Sequence, residues 1–213
     1  LSMSAVNDAP VDADETNTVT EDVTLNVNAA SGLLANASDL DGGTLTISGF
    51  TVAGEAGPFV VGTPYVVSGV GTLAINANGS YSFAPAANYT GAIPVITYTV
   101  SDGNGGTDTA TLVITINGAN DAPVIVDPAN PGTPDNPIPA TDPLNIIPDV
   151  ATTDGAALTP IVVSNFVVDP DGETLTFALD PATTPSWLAI DPATGAITGT
   201  PPADASQLTN TGN

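Results

Sequence analysis

The 213-residue chain contains no lysine, arginine, histidine or cysteine, and only one methionine and one tryptophan. Against this stand 23 Asp and Glu, a formal charge of −23. Salt bridges between side chains are therefore excluded. Carboxylates clustered at about 4–5 Å repel by roughly 1 kcal/mol per pair in water, and only bound cations can offset that. Without histidine there is no Ser-His-Asp triad and no imidazole base. Without cysteine or histidine the usual zinc ligands are missing. Without Lys or Arg no phosphate backbone can be neutralised, which argues against nucleic acid as a partner. Paired carboxylates could still hydrolyse a glycoside, but the acids here fall on turn motifs, so no enzyme is expected. No apolar run approaches a membrane span, and direct membrane insertion is not expected. Leu1 to Pro10 carry no basic n-region and no apolar h-region, so the chain reads as an internal fragment or a processed product. Absence of cysteine suits an extracellular, bacterial cell-surface protein in which calcium replaces disulfides as the staple.

What the chain does have is repetition. Asn-Asp-Ala-Pro occurs at Asn7 to Pro10 and again at Asn120 to Pro123, 113 residues apart. Each copy is followed by an acidic turn: Asp39-Leu40-Asp41-Gly42-Gly43-Thr44-Leu45-Thr46-Ile47, and Asp169-Pro170-Asp171-Gly172-Glu173-Thr174-Leu175-Thr176-Phe177. Paired motifs at domain-sized spacing mark a tandem array. Each motif sets hard oxygen ligands on a short turn, the donor type that Ca2+ takes. Many of the other acids serve as a solvated, solubilising surface.

Between the repeats the pattern is that of strands. Val23, Leu25 and Val27 alternate with polar residues, as do Ile96, Tyr98 and Val100, then Ala110, Leu112, Ile114 and Ile116. Period-2 alternation rich in Val, Ile and Thr predicts half-buried antiparallel strands. Asn78-Gly79, between Leu73-Ala74-Ile75 and Tyr81-Ser82-Phe83, predicts a tight type I′ hairpin. Pro123 to Pro148 hold eight prolines and read as an extended connector. Strand signals resume at Ile161-Val162-Val163, Thr174 to Leu179, Trp187 to Ile190 and Ala196 to Thr198. The expected fold class is all-β: two tandem β-sandwich domains, the second incomplete. The expected division is an incoming linker 1–10, a sandwich 11–119, a Pro-rich linker 120–150 and a partial domain 151–213.

Gly71 to Pro85, followed by Asn88-Tyr89-Thr90-Gly91 and Tyr98-Thr99-Val100-Ser101-Asp102-Gly103-Asn104-Gly105-Gly106, resembles the VCBS and cadherin-like tandem repeats of large bacterial adhesins, often of the RTX type. That resemblance covers roughly residues 5–123 and implies a calcium-binding, Ig-like extender module. The family's Asn-Asp-x-Asp-x-Asp-Gly is matched by Asn36, Asp39 and Asp41, but Ala37 replaces its first Asp. Phe166 to Phe177, Pro185 to Asp191 and Thr194 to Pro201 are similar to the dystroglycan-type cadherin-like domain, an Ig module, over about residues 150–205.

Asp-x-Asp-Gly is not an EF-hand here, since counting from Ala37 places Ser48 where a bidentate Glu is required. The cadherin-like resemblance implies ligands gathered from separate loops at one end of a domain. For the first domain these are Asp39, Asp41 and Asp102, joined by Asn7 and Asp8. For the junction between the domains they are Asn120, Asp121, Asp169 and Asp171. Glu21 and Asp22 resemble an acidic pair on the family's opening strand, and Asp108 is a further candidate. Any of these Asp residues also has a plainer role as a turn former. Trp187 is expected in the second core. The implied function is a non-catalytic, calcium-stiffened stalk whose partners are neighbouring repeats of the same protein. The alternatives are a module binding glycan, peptide or ice, for which Thr107, Thr109 and Thr111 offer a regular face, and a fibre subunit. The family's closing strands are absent after Pro201, and Ser206 to Asn213 are too polar to supply them. Completion by Ile138 to Val150, or self-association by strand donation from a neighbouring chain, would then close the second sheet.

Overall fold

The structure, a computed structural model, describes residues 6–125 and 152–203. The chain divides into two compact units, Leu1–Ala119 and Asn120–Asn213. Among the described residues there are strands and two short 3-10 turns, with no α-helix.

The first unit holds β1 (Glu15–Thr20), β2 (Leu25–Val27), β3 (Thr46–Val52), β4 (Tyr65–Val67), β5 (Gly71–Ile75), β6 (Tyr81–Pro85), β7 (Gly91–Ala92), β8 (Ile96–Ser101) and β9 (Thr107–Asn117). One sheet runs β1-β9-β8-β3, with β7 also on β9, and the other runs β2-β6-β5-β4. All pairs are antiparallel except β1 with β9, which run parallel from Glu15↔Leu112 to Thr20↔Asn117. The alternation of β9 explains its place: Ala110, Leu112, Ile114 and Ile116 are buried while the Thr residues between them are more exposed. β8 repeats this with Ile96, Tyr98 and Val100, each 0 % exposed. Facing them, Leu73 and Ile75 from β5 and Phe83 from β6 are also fully buried. The inner faces of the two sheets thus form one core, as in an aligned sandwich. Each such large side chain contributes about 1.5–3 kcal/mol of burial. Tyr98 keeps its hydroxyl satisfied by donating towards the carbonyls of Ala13 at 3.3 Å and Leu33 at 3.4 Å.

The hairpin between β5 and β6 forms, but its turn differs from expectation. Gly79 N donates to Asn76 O at 3.0 Å and Asn76 N to Ser80 O at 2.9 Å. Of the loop residues only Gly79 has positive φ, at 81°. This is a type I turn closed by a left-handed glycine, not a type I′ turn on Asn78-Gly79. Gly32 lies against it: a Cβ there would run into the Gly79 carbonyl, so this approach is open only to glycine.

The second unit holds β10 (Val124–Ile125), β11 (Ile161–Val162), β12 (Val167–Val168), β13 (Leu188–Ile190) and β14 (Ala196–Gly199). β10 pairs with β12, and a second sheet runs β11-β14-β13. β10 falls at the start of the proline-rich stretch that was expected to be linker throughout. Thr174 to Leu179 keeps the expected alternation, with Leu175, Phe177 and Leu179 half-buried, but is not a strand. Phe177 N donates to Pro192 O at 3.0 Å. Trp187 is half-buried rather than central. Its ring rests over Gly199, where a Cβ would come within 3.0 Å of it. The connector from 126, including Ile138 to Val150, and the tail Ser206 to Asn213 lie outside the described residues.

Candidate metal centre

In the first unit, three chain segments that are distant in sequence converge. The loop before β3 folds on itself: Asp39 Oδ1 accepts from the Asp41 amide at 2.9 Å, and Gly42, with φ 71°, closes the turn on the Asp39 carbonyl at 3.3 Å. Asp41 Oδ2 accepts in turn from the amide of Asp8 at 2.5 Å. Val11 and Ser38 exchange two backbone bonds at 2.8 and 2.9 Å, which fastens the entering segment beside that loop. The third segment is the β8–β9 loop. Asp102, 7 % exposed, accepts from Asn104 N at 2.7 Å, from Gly106 N at 3.0 Å and from the Asn7 side-chain amide at 2.6 Å. These donors, Asn7 foremost and then Asn104, hold its carboxyl below the usual range. Gly106 makes the convergence possible. A Cβ there would strike the Asp102 carboxylate and lie 2.9 Å from Ala9 Cα and 3.0 Å from Asp8 O.

The structure therefore links Asn7, Asp8, Asp39, Asp41 and Asp102 through one chain of hydrogen bonds. Their side chains offer oxygen donors only, apart from the Asn7 amide nitrogen, with no nitrogen or sulfur ligand of the kind zinc selects. Asp39 Oδ2 is buried and has no hydrogen-bond partner. An unpaired carboxylate oxygen out of reach of water is costly, and a hard cation would satisfy it. In donor type, all oxygen from carboxylates and a side-chain amide, the set is of the kind that calcium takes.

The second unit repeats the arrangement locally. Asp169 Oδ1 accepts from Asp171 N at 3.0 Å and Glu173 N at 3.3 Å, and Gly172, φ 74°, closes on the Asp169 carbonyl at 3.1 Å. Asp171 Oδ2 accepts from Asp121 N at 2.6 Å, the counterpart of the Asp41–Asp8 bond. The Asn120 side chain bonds the Asp121 carbonyl at 3.0 Å, as Asn7 does that of Asp8 at 3.1 Å. The bonded residues are 33 apart in the first unit and 50 in the second, so the geometry belongs to the motifs and not to the loop between them. Asp169 is 8 % exposed.

Within the first unit, Glu21 and Asp22 follow β1 and lie beside the C-terminal end of β9, away from the Asp39, Asp41 and Asp102 loops. Glu21 is 1 % exposed; its Oε1 accepts from Ala119 N at 2.6 Å, while its amide bonds Asn117 O at 2.9 Å. Asp22 is exposed and takes a left-handed φ of 59° in the turn out of β1. Asp108 accepts from Asp12 N at 2.8 Å.

Asp12, Asp14 and Glu15 were missed by sequence reasoning. The acid-rich run Val11-Asp12-Ala13-Asp14-Glu15 was the available signal. Asp14 Oδ1 accepts from Thr111 N at 2.8 Å, and the Asp12 carboxyl lies beside the Tyr98 hydroxyl. Burial, and then the neighbouring Asp108 and Asp14, push the Asp12 carboxyl up against the opposing pull of Tyr98. The Tyr98 hydroxyl is itself pushed far up, by burial first and by Asp12 next.

A family model described as "Bacterial cadherin-like domain" matches residues 7–118. A second, described as "Putative Ig domain", matches residues 138–211. No curated protein matches the chain. Similar solved structures include human CDH23 EC21-23, 18% identical over 91% of this chain and 58% of that one, with a TM-score of 0.46. Drosophila N-cadherin EC1-4 is 13% identical over 88% of this chain and 39% of that one, with a TM-score of 0.44. A nucleoside hydrolase-related hypothetical protein from Saccharophagus degradans is 23% identical over 53% of this chain and 26% of its own length, with a TM-score of 0.37. The chain spans between about a quarter and three fifths of these structures.

Proposed function

We propose that this chain, which belongs to the bacterial cadherin-like domain family, is a non-catalytic, calcium-stiffened extender segment of a bacterial cell-surface adhesin. One observation carries the reading: the same hydrogen-bonded acidic turn recurs in both units, each clamping the Asn-Asp-Ala-Pro segment near the start of its own unit. Calcium would be held by Asp39, Asp41 and Asp102 with Asn7 and Asp8 in the first unit. In the second it would be held by Asp169 and Asp171 with Asn120 and Asp121. Calcium takes six to eight oxygens and tolerates irregular geometry, so loops and an entering segment can share one ion. Bound there, it neutralises carboxylates that no Lys, Arg or His of this chain can pair. It also fixes the segment leading into each unit, and a chain of such units becomes a stalk. Glu21 and Asp22 add carboxylates where β1 ends. Cadherin-like and Ig-like domains are usually extracellular and without catalysis. No helix among the described residues is long and apolar enough to cross a membrane.

Small-angle scattering of the intact chain at fixed ionic strength tests the stiffening. The expected result is a profile in calcium that is less flexible, with a longer maximum dimension, than the profile in chelator. Identical profiles would overturn it.

A second reading, a module that itself binds glycan or ice, is favoured by the outer face of the five-stranded sheet. There Thr97 pairs with Thr111, Thr99 with Thr109 and Ser101 with Thr107 across β8 and β9. Alternating Thr is also ordinary on a solvent-facing strand. Glycan-array binding lost on Thr99→Val and Thr109→Val would promote this reading over the stalk; its absence leaves the stalk.

A further inference from the structure

The loop joining β3 to β4 brings an aromatic stack from the core to the surface. Phe50, 2 % exposed, has its ring centroid 5.5 Å from that of Phe59, and Phe59 lies 3.7 Å from Tyr65. Phe59 is tied to β3 by its amide, which donates to Phe50 O at 2.7 Å. Tyr65 is the outermost ring, and its hydroxyl donates to Glu55 Oε2 at 3.0 Å. Beside it runs an open groove of about 280 Å³ lined by Pro58, Phe59, Val60, Thr63, Pro64 and Tyr65. Val60, in its lining, is 71 % exposed. β4 is the terminal strand of its sheet, so its outer edge has no partner strand among the described residues.

We infer that this groove receives an arginine side chain from an extended, basic segment of a partner protein. The guanidinium would lie against the Tyr65 ring and Glu55, with its methylene stem along Pro58, Val60 and Pro64. Three properties select this occupant. An aromatic face and a carboxylate together favour a planar cation, which stacks and forks at once. The groove lining is mostly apolar, and the Glu55 carboxylate stands next to it at the Tyr65 hydroxyl, matching a side chain with an apolar stem and a charged head. Lastly, the chain has no cation of its own and a charge of −23, so the cation must come from outside and is drawn in by the field. The free edge of β4 favours an extended peptide over an isolated amino acid. Burial first, and the Glu55 carboxylate after it, push the Tyr65 hydroxyl up. A saccharide could stack on Tyr65 and hydrogen-bond Glu55, but a neutral sugar is not drawn in by the field of the chain.

The test is a titration of the isotope-labelled intact chain with the capped peptide Ac-Val-Arg-Val-Arg-Val-NH2, followed by NMR in calcium and physiological salt. A copy with glutamine in place of both arginines serves as control. The expected result is shifts centred on Phe59, Val60 and Tyr65, absent with the control peptide. Glu55→Gln, at an exposed side chain that leaves the fold intact, should weaken binding about fivefold or more. Asp180→Asn, the same charge change in the other unit, should leave binding unchanged. Equal weakening by the two variants, or shifts spread over acids throughout the chain, would reduce the effect to general attraction by a polyanion and overturn the site. Equal shifts with a chitin disaccharide would overturn the basic occupant.

Discussion

Asp41→Asn separates a metal role from a turn role at one atom. The asparagine oxygen can still accept from the Asp8 amide, the bond now made at 2.5 Å by Asp41 Oδ2, so the local clamp survives. What is lost is one negative charge among Asp39, Asp41 and Asp102. In chelator that loss relieves repulsion of about 1 kcal/mol per pair at 4–5 Å in water, and stability should hold or rise slightly. In calcium the wild-type unit gains about 2.7 kcal/mol when the ion stands at 100 times its dissociation constant. At about 4 °C per kcal/mol for a unit of this size, that is a melting-point difference of about 10 °C between calcium and chelator. The variant should retain less than half of it. Differential scanning calorimetry of wild type and variant in both buffers supplies the four numbers. An equal drop in both buffers would show Asp41 to be a turn residue, and a variant that keeps the full difference would place the ion elsewhere.

Gly106→Ala drives a Cβ towards Asp102, Ala9 and Asp8 and should cost about 1–3 kcal/mol in urea unfolding, with or without calcium. Gly79→Ala places a side chain at φ 81° and 3.0 Å from Leu34; a loss of about 1–2 kcal/mol is expected, and no loss would refute the assigned turn. Asp12 has its folded pKa raised, so the folded state binds its proton more tightly and Asp12 costs stability as pH rises through that pKa. Asp12→Asn should therefore stabilise the first unit at pH 7 and gain nothing at pH 3, as read by denaturant midpoints. Asp102 has the opposite sign: its depressed pKa gives stability above the unfolded value near 3.8, lost as acid reaches the folded one, and Asp102→Asn should flatten that fall. Glu21→Ala should remove the hydrogen-exchange protection of the Ala119 amide, whose acceptor is Glu21 at 2.6 Å.

Strands whose burial is decided by their own alternation were legible from sequence. β8 and β9 read directly because Ile96, Tyr98, Val100 and then Ala110 to Ile116 put every second residue inward. The acidic turns were legible for a similar reason, since Asp-x-Asp-Gly bonds its own backbone at Asp39 and Asp169 whatever surrounds it. Features set by long-range pairing were not. The turn at Asn78-Gly79 is chosen by the ladder register that joins Ile75 to Tyr81, which dipeptide preference does not contain. The Asp12 and Asp108 contact spans 96 residues, and nothing local to either residue announces it. Thr174 to Leu179 has the period of a strand, but a ladder also needs a neighbour, and periodicity reports only one face. The Phe59–Tyr65 stack joins a residue of a loop without periodicity of either kind to the first residue of the short β4.

The central claim is that calcium binds the two acidic turns specifically, and a chain of charge −23 attracts calcium diffusely as well. Calorimetric titration of the intact chain with calcium in physiological salt, set beside the Asp41→Asn, Asp171→Asn double variant, distinguishes the two. Saturable binding in the wild type that the double variant largely loses is the predicted result. The same weak, unsaturating heats from both proteins would contradict it.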